Sequence, residues 1–106
     1  MTNTLELVEE RLVKVKELRS LEAELLRFSL LSSLLEFSNQ NGGRDIDWSN
    51  REQIKYCINY NYKENQIEVF EINDYRDLGQ VYFTTRKACE NAIKEFKEDI
   101  LKYYLG

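Results

Sequence analysis

The chain contains no histidine and no proline. Without histidine, nucleophilic triads of the Ser-His-Asp and Cys-His types are excluded, because the general base they rely on is missing. A zinc site loses its nitrogen ligand and is left with Cys57, Cys89 and carboxylates, with no paired ligand spacing. Glycine is scarce, with four residues. Gly42-Gly43 lacks the following lysine and helix of a phosphate-binding loop. No run of eighteen apolar residues occurs, so no membrane-spanning helix is expected. Met1-Thr2-Asn3-Thr4 lacks the basic and apolar regions of a secretory signal, which predicts a cytoplasmic protein. Two cysteines in such a compartment read as packed thiols and not as a disulfide.

What is present is a soluble globular composition: 106 residues, 42% hydrophobic and 32% charged. That is one domain with a small core. The net charge of -4 lacks the bulk basic character that neutralises phosphates, so nucleic acid is disfavoured as a partner.

Leu5 to Phe37 reads as one long helix, uninterrupted by proline or glycine, with Thr4 as its N-cap and Glu6, Glu9 and Glu10 near its positive end. Leu5, Val8, Leu12 and Val15 form a narrow stripe at spacings of three and four, as in a coiled-coil seam. A second stripe runs through Leu18, Leu21, Leu25, Phe28, Ser32 and Leu35, after a heptad slip between Val15 and Leu18. Beyond Leu25 the helix is apolar on several sides. Two readings account for this: core packing within one chain, or one face on the sheet and the other on a second copy. The second is favoured, since a small domain offers little surface to cover both faces. The expected homodimer contact is Leu12, Val15, Leu18, Leu21, Leu25 and Phe28, with the parallel or antiparallel sense left open.

The chain divides into a dimerisation helix over residues 1–37, a linker loop over 38–47 and a small module over 48–106. Ser38 to Gly43 supplies polar residues and paired glycines that end the helix. Ser49-Asn50-Arg51-Glu52 has capping-box spacing, which predicts a single helical turn. Ile54, Tyr56, Ile58, Tyr60 and Tyr62 alternate with Lys55, Cys57, Asn59 and Asn61, which predicts a strand. Lys63-Glu64-Asn65 turns it into a second strand over Gln66 to Ile72. Gln80 to Phe83 predicts a short third strand. Thr84 or Thr85 then caps a last helix to about Tyr104, whose buried face is Cys89, Ala92, Ile93, Phe96, Ile100 and Tyr103. The expected architecture is α+β: a long N-terminal helix with coiled-coil character, a three-stranded antiparallel meander and a C-terminal helix packed on the sheet. Its open face would show Lys55, Asn59 and Asn61, with some of Glu68, Tyr82 or Gln80.

The phrase Trp48 … Gln53-Ile54-Lys55-Tyr56-Cys57-Ile58-Asn59-Tyr60-Asn61-Tyr62, then Gly79-Gln80-Val81-Tyr82-Phe83-Thr84-Thr85 and Ala88 … Ala92-Ile93, resembles a group of small proteins of phages, prophages and mobile elements of low-GC Gram-positive bacteria. It covers a little over half the chain and consists of structural residues. The resemblance brings no catalytic motif and implies no cofactor. Related small phage proteins include inhibitors of host defence, among them anti-CRISPR proteins. The resemblance therefore implies a host protein target such as a CRISPR-associated nuclease.

Carboxylate pairs offer little chemistry. Asp45 and Asp47 read as turn formers, and Asp74 and Asp77 as a solvated loop without calcium-ligand spacing. An acidic stretch with tyrosines, Glu68, Glu71, Asp74, Tyr75 and Asp77, is the candidate partner-binding surface. Acids complement a basic partner, and tyrosines anchor interfaces. The competing reading is an ordinary solvated sheet edge and loop. The expected function is a non-enzymatic protein-binding factor, with a structural, assembly or nucleic-acid-binding regulatory protein as the alternative.

Overall fold

In the computed structural model, the backbone of residues 4–106 and the side chains of residues 19–106 are described. Helix α1 spans Thr4–Gln40, 37 residues without a break. At 1.5 Å per residue it is about 55 Å long, which accounts for most of the 68 Å long axis of the molecule. It runs three residues past the Phe37 end expected from sequence. Asn41 closes it, donating its side-chain amide to the Phe37 carbonyl at 2.8 Å and its backbone N–H to Ser38 at 3.0 Å. Gly42 then takes a left-handed φ of 89° into one 3-10 turn, Gly43–Asp45.

Strands β1 (Lys55–Asn61) and β2 (Gln66–Ile72) form an antiparallel hairpin whose seven pairs run without a bulge from Lys55↔Ile72 to Asn61↔Gln66. The turn places Asn65 at φ 52°, and the Asn61 side chain accepts the backbone N–H groups of Lys63 and Glu64. No single helical turn forms at Ser49–Glu52. Asp47 instead accepts both the N–H and the hydroxyl of Ser49, at 2.9 and 2.6 Å, so an aspartate-led turn takes the place of the capping box.

The expected three-stranded meander is not formed: the sheet has two strands. Gln80 to Phe83 lies beside β1 but joins it by one bridge, in which Tyr56 and Phe83 exchange backbone bonds at 2.9 and 2.7 Å. The next outward carbonyl of β1, that of Ile58, is taken by the Gln80 side-chain amide and the Tyr104 hydroxyl, both at 3.4 Å. Val81 in turn donates its N–H to the Gln80 side chain. Side chains thus occupy the positions a ladder would use.

Helix α2 spans Arg86–Leu105. Thr85 is its cap, accepting from the Ala88 N–H at 3.1 Å, while Thr84 donates to the Asn41 carbonyl. Ala88, Cys89 and Ala92 are buried, and such small side chains let α2 lie close to its neighbours. It packs against α1 and both strands. Phe96 leaves helical geometry at φ -110° and ψ 18°. Beyond it Ile100 stays buried, and Tyr104 turns inward in place of the expected Tyr103, which is 39% exposed.

The main core joins Leu30 and Leu34 of α1, Ile58 of β1, Val81, Phe83 and the inner face of α2. Phe37 meets Phe83 and Phe96 edge-on, with centroids 6.5 and 6.0 Å apart. The buried Ser38 hydroxyl donates to the Tyr82 carbonyl, bolting the end of α1 to the same segment. Across the sheet a second cluster forms from Cys57, Ile72 and Tyr82 with Ile46 and Trp48. Among the described residues, no helix is long and apolar enough to cross a membrane.

Candidate functional site

Two faces of α1 are apolar, and they point in opposite directions. Leu30 and Leu34 are buried in the core. On the other side Leu21, Leu25, Phe28 and Leu35 are 57, 67, 75 and 52% exposed. Their spacing of four, three and seven is that of heptad core positions. At 100° per residue they fall within a sector about 80° wide, roughly opposite Leu30. Solvated Glu22, Glu24, Arg27 and Glu36 flank the row. Single exposed leucines are ordinary, but an apolar row at heptad spacing, broken only by Ser32, is a candidate contact surface. Of the expected dimer residues, Leu21, Leu25 and Phe28 therefore stand exposed in one row. Leu12, Val15 and Leu18 lie outside the described side chains.

The acidic residues expected to bind a partner do not form one surface. Glu68 pairs with Asn59 and Glu71 with Tyr56, so they point to opposite faces of the hairpin. Glu71 is taken by Arg86 at 2.6 Å, the one ion pair among the described residues. That bond raises the Arg86 guanidinium above its ordinary pKa. Glu68 accepts from the amides of Asn61 and Gln66 at 2.8 and 3.2 Å, which lower its pKa. Asp77 donates its backbone N–H to the Tyr82 hydroxyl at 2.8 Å, and burial raises that phenol. The side chains of Asp74, Asp77 and the 53%-exposed Tyr75 are solvated on the loop, near the fully solvated Leu78.

The expected open sheet face is partly covered. Asn59 is exposed, but Lys55 is wholly buried and Tyr82 nearly so. Lys55 Nζ donates to the carbonyls of Asn50 at 2.7 Å and Asn73 at 3.0 Å. It also lies over the Trp48 ring, which Arg76 approaches at 5.6 Å. Trp48 stands edge-on to Tyr82 with centroids 4.7 Å apart. Strand alternation alone places Lys55 outward. The signal that could have found this cluster was a lone tryptophan a few residues before the strand, offering a ring to a cation.

Both thiols are free and buried. Burial pushes the Cys57 thiol up to about 11 and the Cys89 thiol up to about 12, so neither is a thiolate nucleophile near neutrality. No cluster of three or more carboxylates and thiols among the described residues is placed to hold a metal ion. A cleft of about 190 Å³ lies between α1, the Asp77–Gln80 loop and the end of α2, and it opens beside Leu78. The Tyr62 hydroxyl donates to the Tyr104 carbonyl, and Tyr60 stacks on the Tyr104 ring at 5.6 Å. These aromatics fasten α2 to β1. No family model, curated protein or solved structure matches the chain.

Proposed function

We propose that the chain is a non-enzymatic protein-binding factor that pairs with a second copy through the outer face of α1. The exposed row Leu21, Leu25, Phe28 and Leu35 carries this reading. A helix–helix seam buries such a row, and a symmetric dimer offers each copy the same apolar surface. Pairing along α1 leaves the hairpin and α2 of each copy free to meet a partner, giving the assembly two equivalent binding ends. Two uncharged buried thiols suit a reducing, cytoplasmic setting.

The partner class follows from the resemblance to small phage proteins: a host defence protein, such as a CRISPR effector nuclease, whose working surface the module covers. A plasmid-interference assay tests this. Expression of the chain should let a targeted plasmid establish in an immune host, and the Leu25→Asp variant should do so less well. Undiminished immunity across several effector types would overturn the defence-inhibitor reading.

A further inference from the structure

The outer edge of β2 pairs with no other strand among the described residues. Tyr56 exchanges both its backbone bonds with Phe83, on the side of β1 away from β2. Alternation then turns Lys55, Cys57, Asn59 and Asn61 toward β2, where Ile72, Phe70, Glu68 and Gln66 answer them. Ile67, Val69 and Glu71 are left with N–H and C=O groups directed outward. Natural edges are blunted by lysine, proline or a bulge. Gln66–Ile72 contains neither lysine nor proline, and its register is unbroken.

Beside this edge a cleft of about 490 Å³ runs between β2 and α2, lined by Ile67, Val69 and Ile93 with Glu68, Glu90 and Arg86. Arg86 is already paired with Glu71 on the α2 side, whereas the Glu68 carboxylate lies on the opposite face of the hairpin, where it accepts from the neutral amides of Asn61 and Gln66 and meets no cation. We propose that the edge of β2 receives an extended segment of a partner protein as an added antiparallel strand, with apolar side chains alternating with basic ones. Its main chain bonds Ile67, Val69 and Glu71, its apolar side chains enter the cleft over Ile93, and its basic ones, turned by alternation to the opposite face, meet Glu68. A second copy fits this edge poorly, because Gln66–Ile72 has no basic side chain to set against Glu68. The inference deepens the binding role proposed above by naming a surface and a partner chemistry. Its failure would leave pairing along α1 untouched.

The test uses the full chain, a short capped peptide alternating valine and lysine, and a control alternating valine and glutamate. Amide exchange is followed by heteronuclear NMR. The lysine peptide should slow exchange at Ile67, Val69 and Glu71 and leave Glu68 and Phe70, already bonded to β1, unchanged. The glutamate peptide should leave all five amides unchanged. Val69→Pro removes the central outward donor without removing a β1 bond and should abolish the protection. Glu68→Lys reverses the charge on the face that the lysines meet and leaves the three outward donors in place. It should weaken the lysine peptide about tenfold and favour the glutamate one. Equal response to both peptides, or shifts centred away from the edge, would overturn the proposal. So would protection of the three amides without peptide that grows with protein concentration, which would assign the edge to a second copy.

Discussion

Lys55 Nζ lies 5.3 Å from the centroid of the Trp48 ring, inside the protein. The lysine nitrogen ties the 48–53 loop to the residue after β2 through the carbonyls of Asn50 and Asn73. Replacing Lys55 with methionine keeps much of the volume and strands both carbonyls. Lys55→Met should cost about 2–4 kcal/mol in urea denaturation. It should also speed amide exchange in residues 47–53 before the helices respond. Unchanged stability would mean that water replaces the nitrogen without cost.

Much of the fold follows from local periodicity. The alternation Tyr56, Ile58, Tyr60 and the small-residue face Ala88, Cys89, Ala92 were readable because each depends only on neighbours along the chain. The burial of Lys55 was not readable from alternation, which points it outward; it depends on Trp48, Asn50 and Asn73 brought together by the hairpin, and the lone Trp48 was its one hint in the sequence. The third strand failed for a similar reason: Gln80 carries β-compatible neighbours, yet its amide and the distant Tyr104 hydroxyl fill the Ile58 carbonyl. The scatter of the acidic set, by contrast, was legible in principle. Glu68 and Glu71 differ in strand parity and cannot share a face.

The two faces of α1 predict opposite outcomes for one kind of substitution. Leu30→Asp places a charge in the core and should destabilise the fold by about 4 kcal/mol. Leu25→Asp lies on the solvated row and should leave the fold of each chain intact by circular dichroism, while weakening self-association. Loss of helical signal in Leu25→Asp at concentrations where the chain is dilute would instead assign Leu25 to the core of one chain.

Stability should fall as pH rises above 9. Cys57 and Cys89 have folded values raised by burial above the ordinary thiol value of 9.0. Their stabilising contribution is therefore complete below pH 9 and is lost as pH rises toward 11 and 12. Each thiol can remove up to about 1.4 kcal/mol per pH unit in that window. Burial raises Tyr104 as well, so it acts in the same direction. Urea midpoints between pH 8 and pH 11 check this, and Cys89→Ala should flatten the fall. Rapid alkylation of either cysteine in the native protein near neutral pH would contradict the burial that causes it.

Gly43 holds the join between α1 and the rest of the chain. A Cβ there would overlap the Ser38 hydroxyl oxygen and come within 2.6 Å of the Ser38 carbonyl oxygen. Gly43→Ala should therefore break the Ser38 bond to Tyr82 and cost about 3 kcal/mol. Thr85→Ala, which removes only the α2 cap, should cost about 1 kcal/mol. Thermal denaturation of the two variants side by side checks the order, and a reversal of it would place the weaker join at α2.

Self-association through the solvated row of α1 is most directly tested by sedimentation equilibrium of the full chain at micromolar concentration. The predicted mass is twice the 12.7 kDa of one chain, falling to the single-chain mass in Leu25→Asp. A wild-type mass of 12.7 kDa across that range would contradict it.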